Sequence, residues 1–214
     1  MAIHWNLKFQ HISNKNVKKL GIDLSIQSTG ICENGAKFHL IVSDNLYSKK
    51  TIESLKNTTF KHFKFYFYEH SHIKDHKEFN KSLNTYHIYK HLETIFKSIY
   101  KNKDKETQVY MEGIAMGATG TIDQLSGINY LTRILLFNRG LPFDNLHIIS
   151  PTTLKKHSVG KGDVDKSVMI EAFMTIISHL KNKTLYKEIQ LLQSLKVKID
   201  DIADSYFLSQ YENI

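Results

Sequence analysis

Cysteine is almost missing from this chain. Cys32 is the only one in 214 residues, which excludes an internal disulfide and a cysteine zinc cluster and suits a reducing compartment. Proline occurs twice, so no polyproline segment or proline-rich linker is expected. Arginine is scarce where lysine is not: of 29 basic residues, only Arg133 and Arg139 are arginine. Bidentate guanine reading is therefore a minor expectation, because lysine contacts phosphate as a point charge. No stretch approaches the roughly 18 to 20 apolar residues of a membrane span. The first residues, MAIHWNLKFQH, hold no apolar run of signal length. A soluble, intracellular protein with no membrane partner is the expectation.

What the chain does have is an ordinary hydrophobic content of 41% and an excess of positive charge, +8 with a pI near 9.3. The first supports one sizeable domain over residues 1–214. The second points to an anionic partner, nucleic acid first, with drift toward lysine as the alternative. If the partner is nucleic acid, recognition by backbone and shape is expected over base readout.

VKKLGIDLSI (17–26) reads as a first strand. ICENGAKFHLIVS continues as a hairpin turning at Asn34-Gly35, and FKFYFYEH (63–70) reads as a further strand. Helical periodicity covers 79–102 through Leu83, Tyr86, Tyr89, Leu92, Ile95 and Phe96. TQVYMEGIAM (107–116) reads as a buried strand. A second helix spans 121–140, with Thr121 as its cap and Gly140 as its stop. NLHIISP (145–151) is a short strand, and helices follow at 152–158, 164–179, 185–195 and 200–212. This order implies a mixed five-stranded sheet flanked by helices in one α/β domain. Residues 44–62 read as an insertion or long loop.

Against the basic background, KIDDIADSYFL (198–208) places Asp200, Asp201 and Asp204 within five positions beside an apolar helix face. Like charges this close repel. Two readings compete: a solvated acidic helix start, with Asp200 as N-cap, or a metal site. Asp23 in GIDLSIQSTG and Glu112 in VYMEGIA both interrupt runs that otherwise read as buried, where a carboxylate is costly unless paired or metal-bound. Together these acids form an ordered set. Hard divalent cations take such oxygen ligands, and two ions could drive phosphodiester cleavage.

With these motifs the chain resembles the RuvC-like Holliday-junction resolvases of the RNase H-like superfamily, phage-type members especially. The matching residues are GIDLSIQSTG around Asp23, MEGIAMG around Glu112, SPTTLKKHSVGKGDVDKSVMIEAF (150–173) and DDIADSYFL (200–208). The likeness does not clearly reach 44–106. It implies an RNase H-like fold, a crossover-junction endonuclease giving 5′-phosphate ends, and a cytoplasmic setting in a bacterium or a virus-infected host cell. It implies Mg²⁺ or Mn²⁺, two ions per site, held by Asp23, Glu112, Asp201 and Asp204. Asp200 rivals Asp201, since an i, i+4 pair with Asp204 also shares a helix face. Lys155 and Lys166 fall on the family's two basic positions near the scissile strand, with Lys166 in a catalytic role. Lys156 and Lys161 add phosphate contacts, with solvated surface lysines as the alternative. Gly160 and Gly162 would let the backbone approach the nucleic acid. The family's aromatic wedge position holds Ala115, followed by Met116. The resemblance also implies branched DNA as partner and a homodimer through helix 121–140, whose Leu125, Ile128, Leu131, Ile134, Leu135 and Phe137 exceed one core stripe.

Other readings stay open. His70, His72 and His76 beside Asp75 have spacing that could hold Zn²⁺, against chance clustering of twelve histidines. FKFYFY is a base-stacking platform or a strand with both faces covered. Ser28 and Thr29 are nucleophile candidates or turn hydrogen-bonders. The chain as a whole is alternatively a non-catalytic nucleic-acid-binding module on the same fold, or an actin-like or sugar-kinase-type ATP binder at GIDLSIQSTG.

Overall fold

The computed structural model describes residues 17–100, 106–114 and 122–212. Along the chain run β1 (Lys19–Asp23), β2 (Ser28–Glu33), β3 (Lys37–Ser43), α1 (Lys49–Asn57), β4 (Phe63–Tyr68), α2 (Lys77–Ile99), β5 (Gln108–Glu112), α3 (Ile122–Asn138), a 3₁₀ turn (Phe143–Asn145), β6 (Leu146–Ile149), α4 (Pro151–Val159), α5 (Lys166–His179), α6 (Lys183–Ser194) and α7 (Asp200–Ser209). The strands form one sheet in the order β4-β3-β2-β1-β5-β6. β1, β2 and β3 pair antiparallel, whereas β4, β5 and β6 each join parallel to a neighbour.

Alternation along the strands divides the core into two layers. Leu20, Ile22, Ile31 and Ile41 face α2 and α3, with Ile88, Leu92, Ile95 and Leu136. Phe38, Leu40 and Val42 face the opposite layer, where Phe173, Ile189, Ile202 and Phe207 come from the C-terminal helices. The hairpin between β2 and β3 turns at Asn34 and Gly35, whose φ values of 50° and 66° are both positive, a conformation that Asn and Gly take most readily.

Two expectations are corrected here. The sheet has six strands, not five, because the chain turns back between Asp23 and Ser28 and both arms of the following hairpin are full strands. The stretch 44–62 holds α1, capped by Ser48, whose Oγ accepts from Thr51 N at 3.2 Å. Ile52 and Leu55 of α1 are buried against the C-terminal layer. FKFYFY forms β4 at the sheet edge, and both its faces are covered: Phe65 and Phe67 pack on one core layer and Tyr66 on the other. Thr121 and the positions Ala115 and Met116 lie outside the described residues.

Candidate active site

Asp23 and Glu112 end two adjacent parallel strands. β1 and β5 pair with Ile22 opposite Met111, so the next residue on each, Asp23 and Glu112, emerges at the same sheet end. The third and fourth acids come from α7, which lies across β1 and β2. Glycine makes that approach possible: a Cβ at Gly21 would overlap the Ser205 carbonyl, and one at Gly30 would overlap the Asp201 carbonyl. Asp201 and Asp204 are i, i+3 on this helix, hence on one face.

All four acids line a single cavity of about 340 Å³, together with Lys155, Lys166, Ser25 and Asn129. Asp23 and Asp201 are buried. Burial, then Glu112, Asp201 and Asp204 in turn, hold the Asp23 carboxyl well above the usual carboxylate range. Glu112 is also raised, by burial, although a hydrogen bond with Asp23 and the charges of Lys166 and Lys155 oppose the shift. Burial and Asp200 push Asp201 up to about 7, despite a hydrogen bond with Ser28. Burial and Glu112 do the same for Asp204, also to about 7. Four carboxylates in one pocket cannot all ionise without a positive charge among them.

Asp200 stands apart from this set. It occupies the first turn of α7 but is not its N-cap, which is Ile199 with no side-chain capping bond. The N-cap expectation for Asp200 is thereby corrected. Its carboxylate instead meets Lys166 Nζ at 3.2 Å and does not line the cavity. The same three C-terminal aspartates, led by Asp200, hold the Lys166 pKa above the ordinary lysine value against the opposing effect of its burial.

Lys155 reaches the cavity with its Nζ donating to the Val164 carbonyl at 2.6 Å. Lys156 and Lys161 are exposed and are not part of the cavity wall. Local chain geometry explains the glycines here. Gly160 is the left-handed C-cap of α4, at φ 79°. A Cβ on Gly162 would come within 2.6 Å of Thr152 Cγ2, so the loop packs flush against the start of that helix.

Sequence reading missed Asn129. It is 1% exposed; its Nδ2 donates to the Glu112 carbonyl at 3.4 Å, and its buried Oδ1 has no partner. The available signal was a polar residue on the buried face of a helix, one turn after Leu125. Thr29, near the start of β2, hydrogen-bonds back to the preceding turn, donating to the Ser25 carbonyl at 2.8 Å. His70 and His72 line a different cavity, and His76 immediately precedes α2.

A divalent cation is a fair test of the acid pocket. Among the described residues, no group of three His, Cys, Asp or Glu side chains is arranged to hold an ion as it stands. The donor set nevertheless fits: all ligand candidates are oxygens around one cavity, as Mg²⁺ or Mn²⁺ requires. The hydrogen bond between Asp23 and Glu112 needs a shared proton, and a cation between the two carboxylates can replace it.

No family model matches the sequence, and no curated protein matches it. Solved structures do match its fold. RuvC of Thermus thermophilus superposes with a TM-score of 0.50 at 12% identity, over 91% of this chain and 92% of that one. RuvC of T. thermophilus in complex with Holliday junction substrate superposes at 0.48 and 12% identity, over 91% and 92%. The yeast mitochondrial Holliday junction resolvase Ydc2 gives 0.44 at 16% identity, over 91% of this chain and 76% of that one. At such identities the likeness is one of architecture, and it is drawn from the first of these: the chain has the mixed α/β fold that RuvC of Thermus thermophilus has.

Proposed function

We propose that the protein is a metal-dependent, structure-selective endonuclease that resolves four-way and other branched DNA junctions by paired phosphodiester hydrolysis. One observation carries this reading: Asp23, Glu112, Asp201 and Asp204, from three distant segments, line one cavity with Lys155 and Lys166 beside them. The fold shared with RuvC supports it, and so does the net charge of +8, which draws in a polyanion.

In this mechanism the four carboxylates would hold Mg²⁺ or Mn²⁺, with Asp201 rather than Asp200 as the third ligand because only Asp201 lines the cavity. Held there, the metal would supply Lewis-acid chemistry for water attack and for charge on the leaving oxygen. Asn129 steadies the end of β5 by its bond to the Glu112 carbonyl. Lys166 leans on Asp200 and is placed to meet charge developing on the scissile phosphate. Lys155 braces the loop before α5 through Val164, and Lys156 and Lys161 offer exposed charge to flanking phosphates. The products are 5′-phosphate and 3′-hydroxyl ends.

Paired cuts on a two-fold junction call for a two-fold homodimer. Helix α3 supplies a surface for it: Tyr130 and Ile134, one turn apart, are 59% and 54% exposed. Phe143, 75% exposed, stacks edge-on against Phe137 at 4.7 Å between ring centroids.

The test is a Mg²⁺-dependent nicking assay on four-way, flap and linear duplex DNA, with Asp204→Asn as control. Cutting of branched DNA that vanishes with Asp204→Asn and with chelation is expected. Cutting that survives Asp204→Asn overturns the assignment.

A further inference from the structure

A second cavity, about 870 Å³, lies beside the acid pocket and shares Leu24, Ser25 and Leu125 with it. Its walls are the turn after Asp23 and the loop 70–75 that leads from β4 into α2. The charge changes sign between the two cavities. Here Lys74, Lys77 and Lys81 line the wall and Asp75 is the one carboxylate among the described lining residues. Lys81 is tied to Asp123 and Glu78 at 2.7 and 3.1 Å, whereas Lys74 and Lys77 are exposed.

Both walls are held in place. Asn80 and Asn84, one turn apart on α2, clamp the loop backbone. Asn80 Oδ1 accepts from Ile73 N at 2.9 Å and its Nδ2 donates to Ile73 O at 2.7 Å. Asn84 repeats the pattern on Ser71, accepting at 2.8 Å and donating at 3.4 Å. His70 N donates to Asp44 Oδ1 at 2.9 Å. On the opposite wall, Tyr68 Oη donates to the Ile26 carbonyl, and Ser43 N donates to the Gln27 carbonyl at 2.8 Å. A surface loop bound this thoroughly by buried side chains is preorganised. One ring nitrogen in it, Nδ1 of His70, is buried with no partner, a cost that a ligand can remove.

We infer that this groove binds unpaired nucleotides of the strand that flanks the scissile phosphate. The inference rests on the nuclease reading and extends it to the substrate's form. Its volume falls within the roughly 300–1,000 Å³ of small-ligand pockets, room for a few nucleotides of one strand and too little for a duplex. Apolar Ile26, Ile73 and Leu125 offer surface to base faces, and Lys74 and Lys77 meet the backbone. Because the groove opens directly off the turn that follows Asp23, nucleotides in it are neighbours of a phosphate held by the acids. The enzyme would therefore favour branch points with single-stranded residues over fully paired ones.

Fluorescence anisotropy without divalent metal tests this on three probes: a short oligothymidylate, a four-way junction with two unpaired thymidines at the branch, and a fully paired duplex. The double variant Lys74→Glu/Lys77→Glu alters exposed side chains only. It should weaken binding of the first two probes about tenfold and change duplex binding by less than about twofold. Photocrosslinking from 4-thiothymidine at the branch should map to residues 70–77. If the variant binds the first two probes as tightly as the wild type, or the crosslinks map elsewhere, the groove assignment falls, and the nuclease reading is judged separately by the Mg²⁺-dependent nicking assay. If the wild type binds no branched DNA, the nuclease reading falls. The flanking-strand inference then falls with it, and oligothymidylate binding that depends on Lys74 and Lys77 would show only a single-strand groove.

Discussion

Two ends of the same strand pair carry buried or half-buried carboxylates, and they are treated in opposite ways. At one end Glu33, opposite Leu20 in the β1–β2 register, meets Lys18 Nζ at 2.9 Å and His39 Nε2 at 2.8 Å. Burial works to raise its pKa, and the hydrogen bonds from His39 and Lys18 overcome it, so Glu33 sits below the ordinary glutamate value. At the other end Asp23 and its three companions face one another, and all four are raised. Desolvation acts on both sites. The first is fully compensated within the chain, which marks it as part of the fold's own stability. At the second, Lys166 and Lys155 oppose the shifts without cancelling them, an imbalance that an added cation would remove and that fits the proposed site.

Breaking either end should have effects of different kind. The largest is expected for Glu112→Gln, which should reduce junction cutting by at least about a thousandfold while leaving junction affinity largely intact. Near-normal cutting would place Glu112 with Glu33 as a structural acid. Glu33→Gln should do the reverse. Cutting per folded molecule should be unchanged, and urea unfolding should show a loss of about 2 kcal/mol as Lys18 and His39 lose a charged partner. Lys166→Ala should slow cutting about tenfold and weaken binding by much less; equal losses would reduce Lys166 to a phosphate contact.

The smallest effect is in pH dependence. Unfolded, Asp201 titrates near the ordinary value of about 3.9; folded, it titrates at about 7. Between these the native state holds the proton and the unfolded state does not, so this group's stabilisation is full below pH ~4 and lost as pH rises through ~7. Asp201→Asn removes that loss. Without divalent metal, the melting temperature of Asp201→Asn minus that of the wild type should grow by a few degrees from pH 5 to pH 8. A constant difference would mean that Asp201 is as well compensated as Glu33.

Much of the architecture was written in local signals. Alternation marked β4, a buried run marked β5 and the stop at Pro151 marked β6, each to within a few residues, and the Asn34-Gly35 turn placed the hairpin. Helical periodicity marked α2, the stop at Gly140 bounded α3, and the helical ranges read for α4 to α7 differ from the structure by up to three residues at their ends. The stretch 44–62 was unreadable because α1 is only nine residues long and buries just two apolar side chains, Ile52 and Leu55, too few to set a period. The strand count failed at Leu24 to Gln27, a turn with no glycine or proline to announce it. For the site, the order of the acids was legible, whereas their meeting was implied only by the family resemblance, since it depends on contacts between β1, β5 and α7 far apart in sequence. Asn129 escaped because its one local signal, a polar residue on the buried face of α3, is shared with Gln124 and Thr132. The groove beside the acids escaped for a similar reason: Asn80 and Asn84 look like solvated helix residues until the loop they clamp is seen.

The glycines beneath α7 have a consequence for how this protein can fail. Gly21 and Gly30 act as a spacer gauge, setting the height at which the last helix rides over the sheet and hence the reach of Asp201 and Asp204 toward Asp23. A single methyl group there would lift the helix and leave every acid, lysine and amide chemically intact but out of range of its fellows. Loss of function need not touch any reactive group, and the two least reactive residues on the sheet are among the most exacting positions in the molecule.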